Sequence, residues 1–247
     1  MEFYQNVIIE ISKTKSSNSL RPPVPYTMTV DKNGYIGDKY PADGYTHYCF
    51  KEVISDYSQS GLGQVNLLKW TTIGDKEYVT GIMPDGREWM CQNLDYVDAN
   101  AGIIVGTNCW YYSNDQATYG WNGKKYGLLY TWNAAMSVNI KGWHLPTKDE
   151  FDTFVTALGS NSGTKAKSTY DWSSGAGTDN FGFNVVPAGH RNTSGSSQDL
   201  GNYAFLWSST EFSSSSAYRC YLNADSAIVQ GNLSKSFGLS VRLVKDT

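Results

Sequence analysis

Apolar and polar positions change period several times along this chain, and each change marks an element. In HLPTKDEFDTFVTALG, Phe151, Phe154, Val155 and Leu158 recur at i, i+3, i+4 and i+7, one stripe of an amphipathic helix. Thr147 with Glu150 three residues later forms a capping box, and Gly159 provides the stop. A shorter helix is predicted in LLYTWNAAMSV, with Leu129, Trp132, Ala135 and Met136 on one side. EYVTGIMPDGREWMCQNL predicts a hairpin about Pro84–Asp85–Gly86, and residues 98 to 127 read as Gly/Asn/Tyr-rich loop. Five short strands follow the main helix: FGFNVVPAG, YAFLWSST, AYRCYLN, SAIVQG and GLSVRLV. Ahead of all this, VIIEI, YTMTV and THYCFKEVI predict a small β unit, joined by linker-like KTKSSNSLRPPVP and the turn-rich DKNGYIGDKYPADG. The texture shifts near Asp75, which divides the chain into 1–75 and 76–247. The expected class is α+β, two or so helices on an irregular antiparallel sheet.

The stretch EFSSSSAYRCYLNADSAIVQGNLSKSFGLSVRL, residues 211 to 243, sets small polar and aromatic residues between two strand-like runs. Strand alternation sends Ala217, Arg219, Tyr221 and Asn223 to one face, read as solvent. Tyr218, Cys220 and Leu222 go to the other, which apart from Tyr218 is read as core. Tyr, Ser, Asn and Gly are also the residues that antibody paratopes favour, rigid amphipathic area beside adaptable hydrogen bonding.

Composition narrows the function. The chain has 247 residues, 40% hydrophobic and 17% charged, so it can bury a real core. Its net charge is −3 with Lys and Arg scattered, which argues against a nucleic-acid groove. No apolar run is long enough to span a bilayer, so no membrane insertion is expected. The opening MEFYQNVIIEISKTK lacks a small-residue cleavage site and is not read as a secretory signal. Cys49, Cys91, Cys109 and Cys220 show no metal-ligand spacing and are read as isolated buried thiols.

GREWMCQNL, KYGLLYTWNAAM, GWHLPTKDEF, GTKAKS, GTDNFGFNVVPAGHR, FLWSSTE and GLSVRLVKD occur in that order across residues 76 to 247. Together they resemble the Fibrobacter succinogenes major paralogous domain family. That resemblance implies a C-type-lectin-like fold in its formylglycine-generating-enzyme-like branch, and says nothing of residues 1 to 75. The fold is shared by variable proteins of diversity-generating retroelements, which rewrite adenines near the 3′ end of a target gene. The stretch between WSSTE and SVRLV lies where such a variable region would lie. Randomised AAC or AAT codons never encode Lys, Glu, Gln, Trp or Met. Across residues 212 to 240 only Gln230 and Lys235 are of those types, fewer than average usage would place there. Repeated AGC serine codons would give the same picture.

The resemblance therefore implies a ligand-contacting surface built from Phe212, Ser214, Ser216, Tyr218, Arg219, Tyr221, Asn223, Asp225, Ser226, Gln230, Asn232, Ser234, Ser236 and Phe237. The competing reading is a solvated strand edge, or plain core for Phe212 and Phe237. Trp143, His144, Pro146, Trp207 and Glu211 are assigned to the scaffold, and His190–Arg191 to loop capping. A calcium-bound sugar site is not expected, because the lectin Glu-Pro-Asn, Gln-Pro-Asp and Trp-Asn-Asp motifs are absent. Asp171, Asp179 and Asn180 on adjacent loops are the remaining calcium alternative. No enzyme is expected: the formylglycine-generating relatives rely on a cysteine pair, and Cys220 stands alone in that region. Many relatives carry Cys-Pro ahead of GWHLP where this chain has Asn139–Ile140–Lys141, which fits assembly in a reducing cytoplasm. The implied role is binding a protein or glycan receptor on a cell surface, from a phage virion tail or as an extracellular adhesin. Residues 1–75 would dock the protein onto a larger assembly, and a homo-oligomer would help a weak binder through avidity. The alternative is a carbohydrate- or cell-envelope-binding module without diversification.

Overall fold

A computed structural model describes residues 38–40, 47–50, 68–120 and 126–247. Strands β1 (Asp38–Tyr40), β2 (His47–Phe50), β3 (Leu68–Ile73), β4 (Lys76–Ile82) and β5 (Glu88–Met90) come first. The expected strands VIIEI and YTMTV and the linker between them lie outside the described residues. Short pairs follow in β6 (Cys109–Trp110) and β7 (Leu129–Tyr130), with helix α1 (Gln116–Tyr119) between them and α2 (Trp132–Met136) after. Then come β8 (Trp143–His144), helices α3 (Lys148–Leu158) and α4 (Ser162–Ala166), β9 (His190–Arg191) and β10 (Ser197–Gln198). The chain continues through β11 (Ala204–Glu211), β12 (Ser216–Leu222), β13 (Val229–Ser234) and β14 (Val244–Lys245). The class is α+β: a seven-stranded sheet in the order β1-β2-β3-β4-β5-β14-β8 and a three-stranded sheet β11-β12-β13.

The β4–β5 hairpin forms as expected, its turn closed by the Gly86 amide donating to the Met83 carbonyl at 2.8 Å. The division between 75 and 76 falls in the turn joining β3 to β4, two strands that pair along their length. Helix α3 matches its sequence signals. The Thr147 hydroxyl accepts from the Glu150 amide at 3.2 Å, and the Thr147 amide donates to the Glu150 carboxylate at 2.8 Å. Phe151, Phe154 and Leu158 are buried against Trp89 and Phe183, and Val155 is half-buried. Burying three such side chains contributes about 1.5–3 kcal/mol each.

Two expectations are corrected. Met136 was placed on the buried side of the short helix, but α2 buries Trp132, Ala134 and Ala135 and leaves Met136 exposed. FGFNVVPAG forms no strand. Asn184 adopts a left-handed φ of 53°, and the carbonyls of Phe183 and Asn184 turn to Arg242 rather than to a ladder.

The three-stranded sheet is a wall with apolar contacts on both sides. Phe205, Trp207 and Ala217 join one core cluster with Tyr130, Trp132 and Trp143. Ala204, Leu206, Cys220 and Leu222 join the other, with Trp89, Phe151 and Phe154. The closing segment locks the wall in place. Trp207 donates to the Ser240 carbonyl at 3.1 Å, and Ser240 to the Phe205 carbonyl at 3.1 Å. Leu239 exchanges bonds with Tyr130, while Leu94 and Met90 donate to Val241 and Leu243. Of the expected GLSVRLV strand only its last residue, Val244, falls in a regular strand, β14, yet the run before it is bridged to Tyr130, Arg191 and Leu206.

Candidate functional site

β12 sits between β11 and β13, with Phe205 opposite Tyr221, Trp207 opposite Arg219, and Gly231 opposite Arg219 on the far side. These pairings set the two faces of the sheet. One face carries Ala217, Arg219, Tyr221, Gly231 and Leu233; the other carries Ser216, Tyr218, Cys220, Gln230, Asn232 and Ser234.

The alternation in AYRCYLN is correct, but its assignment of faces is corrected. Ala217 was put on the solvent face and is 0% exposed, packed in the core cluster beneath β11. Arg219 and Tyr221 are half-buried on that same side, because the rings of Phe205 and Tyr203 extend the core beneath them. Cys220 and Leu222 are buried and Tyr218 is half-buried, as expected.

The fourteen predicted contact residues do not form one patch. At the β11–β12 turn, Phe212 is 53% exposed and meets Tyr218 edge-on at 5.4 Å. Ser214 and Ser236 are exposed nearby, with Ser216 and Ser234 half-buried across from each other. On the Tyr218 face Asn232 is exposed, and the half-buried Gln230 keeps its amide nitrogen and oxygen without partners among the described residues. At the opposite end, Asp225 and Ser226 are exposed and Asn223 is half-buried. Phe237 is half-buried beside His190, with ring centroids 5.6 Å apart.

What holds the two turns is main chain. The buried Lys167 ammonium donates to the carbonyls of Asn223 at 2.7 Å and Asp225 at 3.0 Å. Amides of Gly163 and Thr164 donate to the Ser226 carbonyl at 2.8 and 3.2 Å, and Ile228 donates to the Ser162 hydroxyl at 3.1 Å. A Cβ on Gly163 would stand 2.8 Å from the Ala227 carbonyl carbon, and one on Gly175 would strike the Ala224 carbonyl oxygen. So α4 and its following loop grip residues 223–228 through atoms that every amino acid shares. The serine turn is similar, with the Lys235 amide donating to the Ser215 carbonyl at 3.0 Å. Two side chains do shape their turns: Asn223 Oδ1 accepts from the Asp225 amide at 3.0 Å, and Ser213 Oγ from the Ser216 amide at 3.1 Å.

Electrostatics distinguish Arg219. Its guanidinium lies 4.3 Å from the Tyr221 ring centroid and 5.5 Å from that of Phe205. Nε and Nη1 are sealed from solvent with no acceptor among the described residues. Burial pulls its pKa below the usual guanidinium range. His190, edge-on to Phe205 at 5.2 Å, is pulled down by burial too; Asp199 stands 3.2 Å from its Nδ1. Cys91, Cys109 and Cys220 are all buried, and burial pushes the Cys220 thiol up to about 12. That is the opposite of what a thiolate nucleophile requires. Among the described residues no three His, Cys, Asp or Glu side chains converge on a point that could hold a metal, and no helix is long and apolar enough to cross a membrane.

Gly163 and Lys167 lie in the GTKAKS block, but the sequence assigns no anchoring role to them or to Gly175. A lysine between alanine and serine carries no signal of burial. Gly231 had a clue: glycine inside a strand marks a close approach, here to Arg219.

The fold and the site together define an α+β frame that clamps a polar, aromatic hairpin by its backbone. Residues 85–245 match the family described as the Fibrobacter succinogenes major domain, and the chain belongs to that family. No curated protein and no solved structure matches the chain.

Proposed function

We propose that this is a non-enzymatic receptor-binding protein of C-type-lectin-like fold, whose β11–β13 sheet and turns form a surface open to diversification by a retroelement. The observation that carries the reading is the grip on residues 223–228 through their carbonyls and amides. A surface rewritten at the level of the gene must fold whatever side chains it receives, and main-chain anchoring provides that. Exposed Phe212 and half-buried Tyr218 and Tyr221 supply aromatic anchors amid Ser and Asn. Its ligand is a protein or glycan receptor, and its setting a virion tail or cell surface. Residues 1–75 dock it to a larger assembly.

The encoding DNA tests this. A near-copy of the last hundred or so bases, differing only at adenines and lying beside a reverse transcriptase gene, is expected. A neighbourhood without that copy contradicts diversification and leaves a fixed envelope- or carbohydrate-binding module.

A further inference from the structure

Cations in this molecule mostly have acceptors. Lys69 and Lys245 meet Glu88 at 2.8 and 2.9 Å, Lys76 meets Asp95 at 3.3 Å, and Arg87 pairs with Glu150. Arg242 donates to Asn93 and to two backbone carbonyls. Arg219 departs from this pattern. Two of its three nitrogens are sealed without an acceptor among the described residues, and what the guanidinium faces instead is the rings of Tyr221 and Phe205. Nη2 is the nitrogen outside that sealed pair. The neighbour across the strand is Gly231, and a Cβ there would crowd Nη1 at 3.3 Å. A guanidinium that is partly desolvated and matched only by aromatic rings is costly to fold around, which is the mark of a group kept for a partner.

Resting on the reading of this sheet as a binding surface, we propose that Arg219 anchors a carboxylate on an acidic side chain of a protein ligand. The carboxylate arrives over Tyr221 and Gly231 and meets Nη2. It gains Nε or Nη1 as second donor when the guanidinium tilts off the Tyr221 ring. A planar fork of donors fits a carboxylate in two parallel hydrogen bonds, a geometry that neither a hydroxyl nor an amide reproduces. Tyr221 beside it on the same face is a residue type with which protein surfaces are recognised, and Arg and Tyr dominate the energetics of such contacts.

The test uses the full chain labelled with ¹⁵N and reads the Arg219 Nε–Hε resonance, assigned by its disappearance in Arg219→Lys. Three probes are titrated: N-acetyl-glutamate N-methylamide, the corresponding glutamine compound, and methyl glucuronide. The glutamate compound should move the resonance saturably, with binding about tenfold tighter than the glutamine compound. No movement with glutamate, or equal movement with glutamine, would overturn the proposal. Saturation by the glucuronide alone would overturn the protein ligand in favour of an acidic sugar. Arg219→Met removes the unmatched charge and is expected to fold, so glutamate-induced shifts of the β12 and β13 amides should vanish in it. Their persistence in that variant would place the carboxylate elsewhere and sink the assignment. Neither the tolerance of residues 224–227 to substitution nor the adenine-specific DNA copy depends on these outcomes, so the two readings fail separately.

Discussion

Arg242 and Arg219 both lie beside phenylalanine rings in the same molecule, and they are treated in opposite ways. Arg242 is 0% exposed, with Nε on Asn93 at 2.9 Å, Nη1 on the Phe183 carbonyl and Nη2 on the Asn184 carbonyl at 2.8 Å. Asn93 extends the network to the Tyr126 carbonyl at 2.9 Å and the Ser240 hydroxyl at 3.2 Å. Each of its three nitrogens has an acceptor, and that set of three needs a guanidinium. Arg219 has Nε and Nη1 sealed from water with no acceptor among the described residues. The first region is a frame that specifies its residues; the second is a surface that the frame holds by its backbone. The difference teaches where substitution should be ruinous and where it should be silent.

The sharpest break should come at Arg242. Arg242→Met strands Asn93 Oδ1 and two buried carbonyls, and should cost about 3–5 kcal/mol by urea unfolding. A loss below about 1 kcal/mol would show that the network is not the frame's keystone. Lys167→Met comes next, at about 2–3 kcal/mol, because two charge-assisted bonds to the hairpin carbonyls vanish. Amide hydrogen exchange in residues 223–228 should quicken in that variant more than in α3.

A smaller effect is visible only against pH. Asp179 is fully buried and accepts from the Asn184 amide at 2.7 Å, and burial raises its pKa to about 7 despite the pull of Arg242. The folded state therefore holds this proton more tightly than the unfolded chain, whose carboxyl titrates near the ordinary aspartate value. Its contribution is complete below about pH 4 and is lost as pH rises towards 7. The difference in urea midpoint between the native chain and Asp179→Asn should drift accordingly, in favour of Asn at the higher pH. A flat difference would mean that Asp179 is ionised throughout. The mildest substitution should be Arg219→Met, within about 1 kcal/mol of neutral, since the charge it removes is partly desolvated and has ring contacts but no acceptor among the described residues. The same replacement at two arginines should thus differ in cost by several kcal/mol.

Much of the frame was legible in the sequence because it rests on local chemistry. The capping box at Thr147 and Glu150, the stripe through Phe151, Phe154 and Leu158, and the Pro84–Asp85–Gly86 turn all act within a few residues. Strand alternation in β12 was legible too, but which face met water was not. That depended on residues outside the strand: Ala217 joins the core cluster that holds Trp132 and Trp207, while the rings of Tyr203 and Phe205 pack on Tyr221 and Phe205 lies beside Arg219. FGFNVVPAG looked like a strand because its composition is apolar. Its carbonyls were claimed by an arginine almost sixty residues away, an interaction no local pattern carries. The fourteen predicted contact residues divide between two faces and two turns, a division that no local pattern in the sequence carries.

The most direct measurement is a library in which Ala224, Asp225, Ser226 and Ala227 are replaced together by mixed residues, with folding stability read for each member. Their anchors are main-chain bonds from Gly163, Thr164 and Lys167, so most members should stay within about 1 kcal/mol of the native chain. The same mixture placed at Asn93, Phe183, Asn184 and Arg242 should abolish folding. If the hairpin library unfolds as readily as the frame library, the side chains of 224–227 are structural, and the surface is not one the fold leaves open.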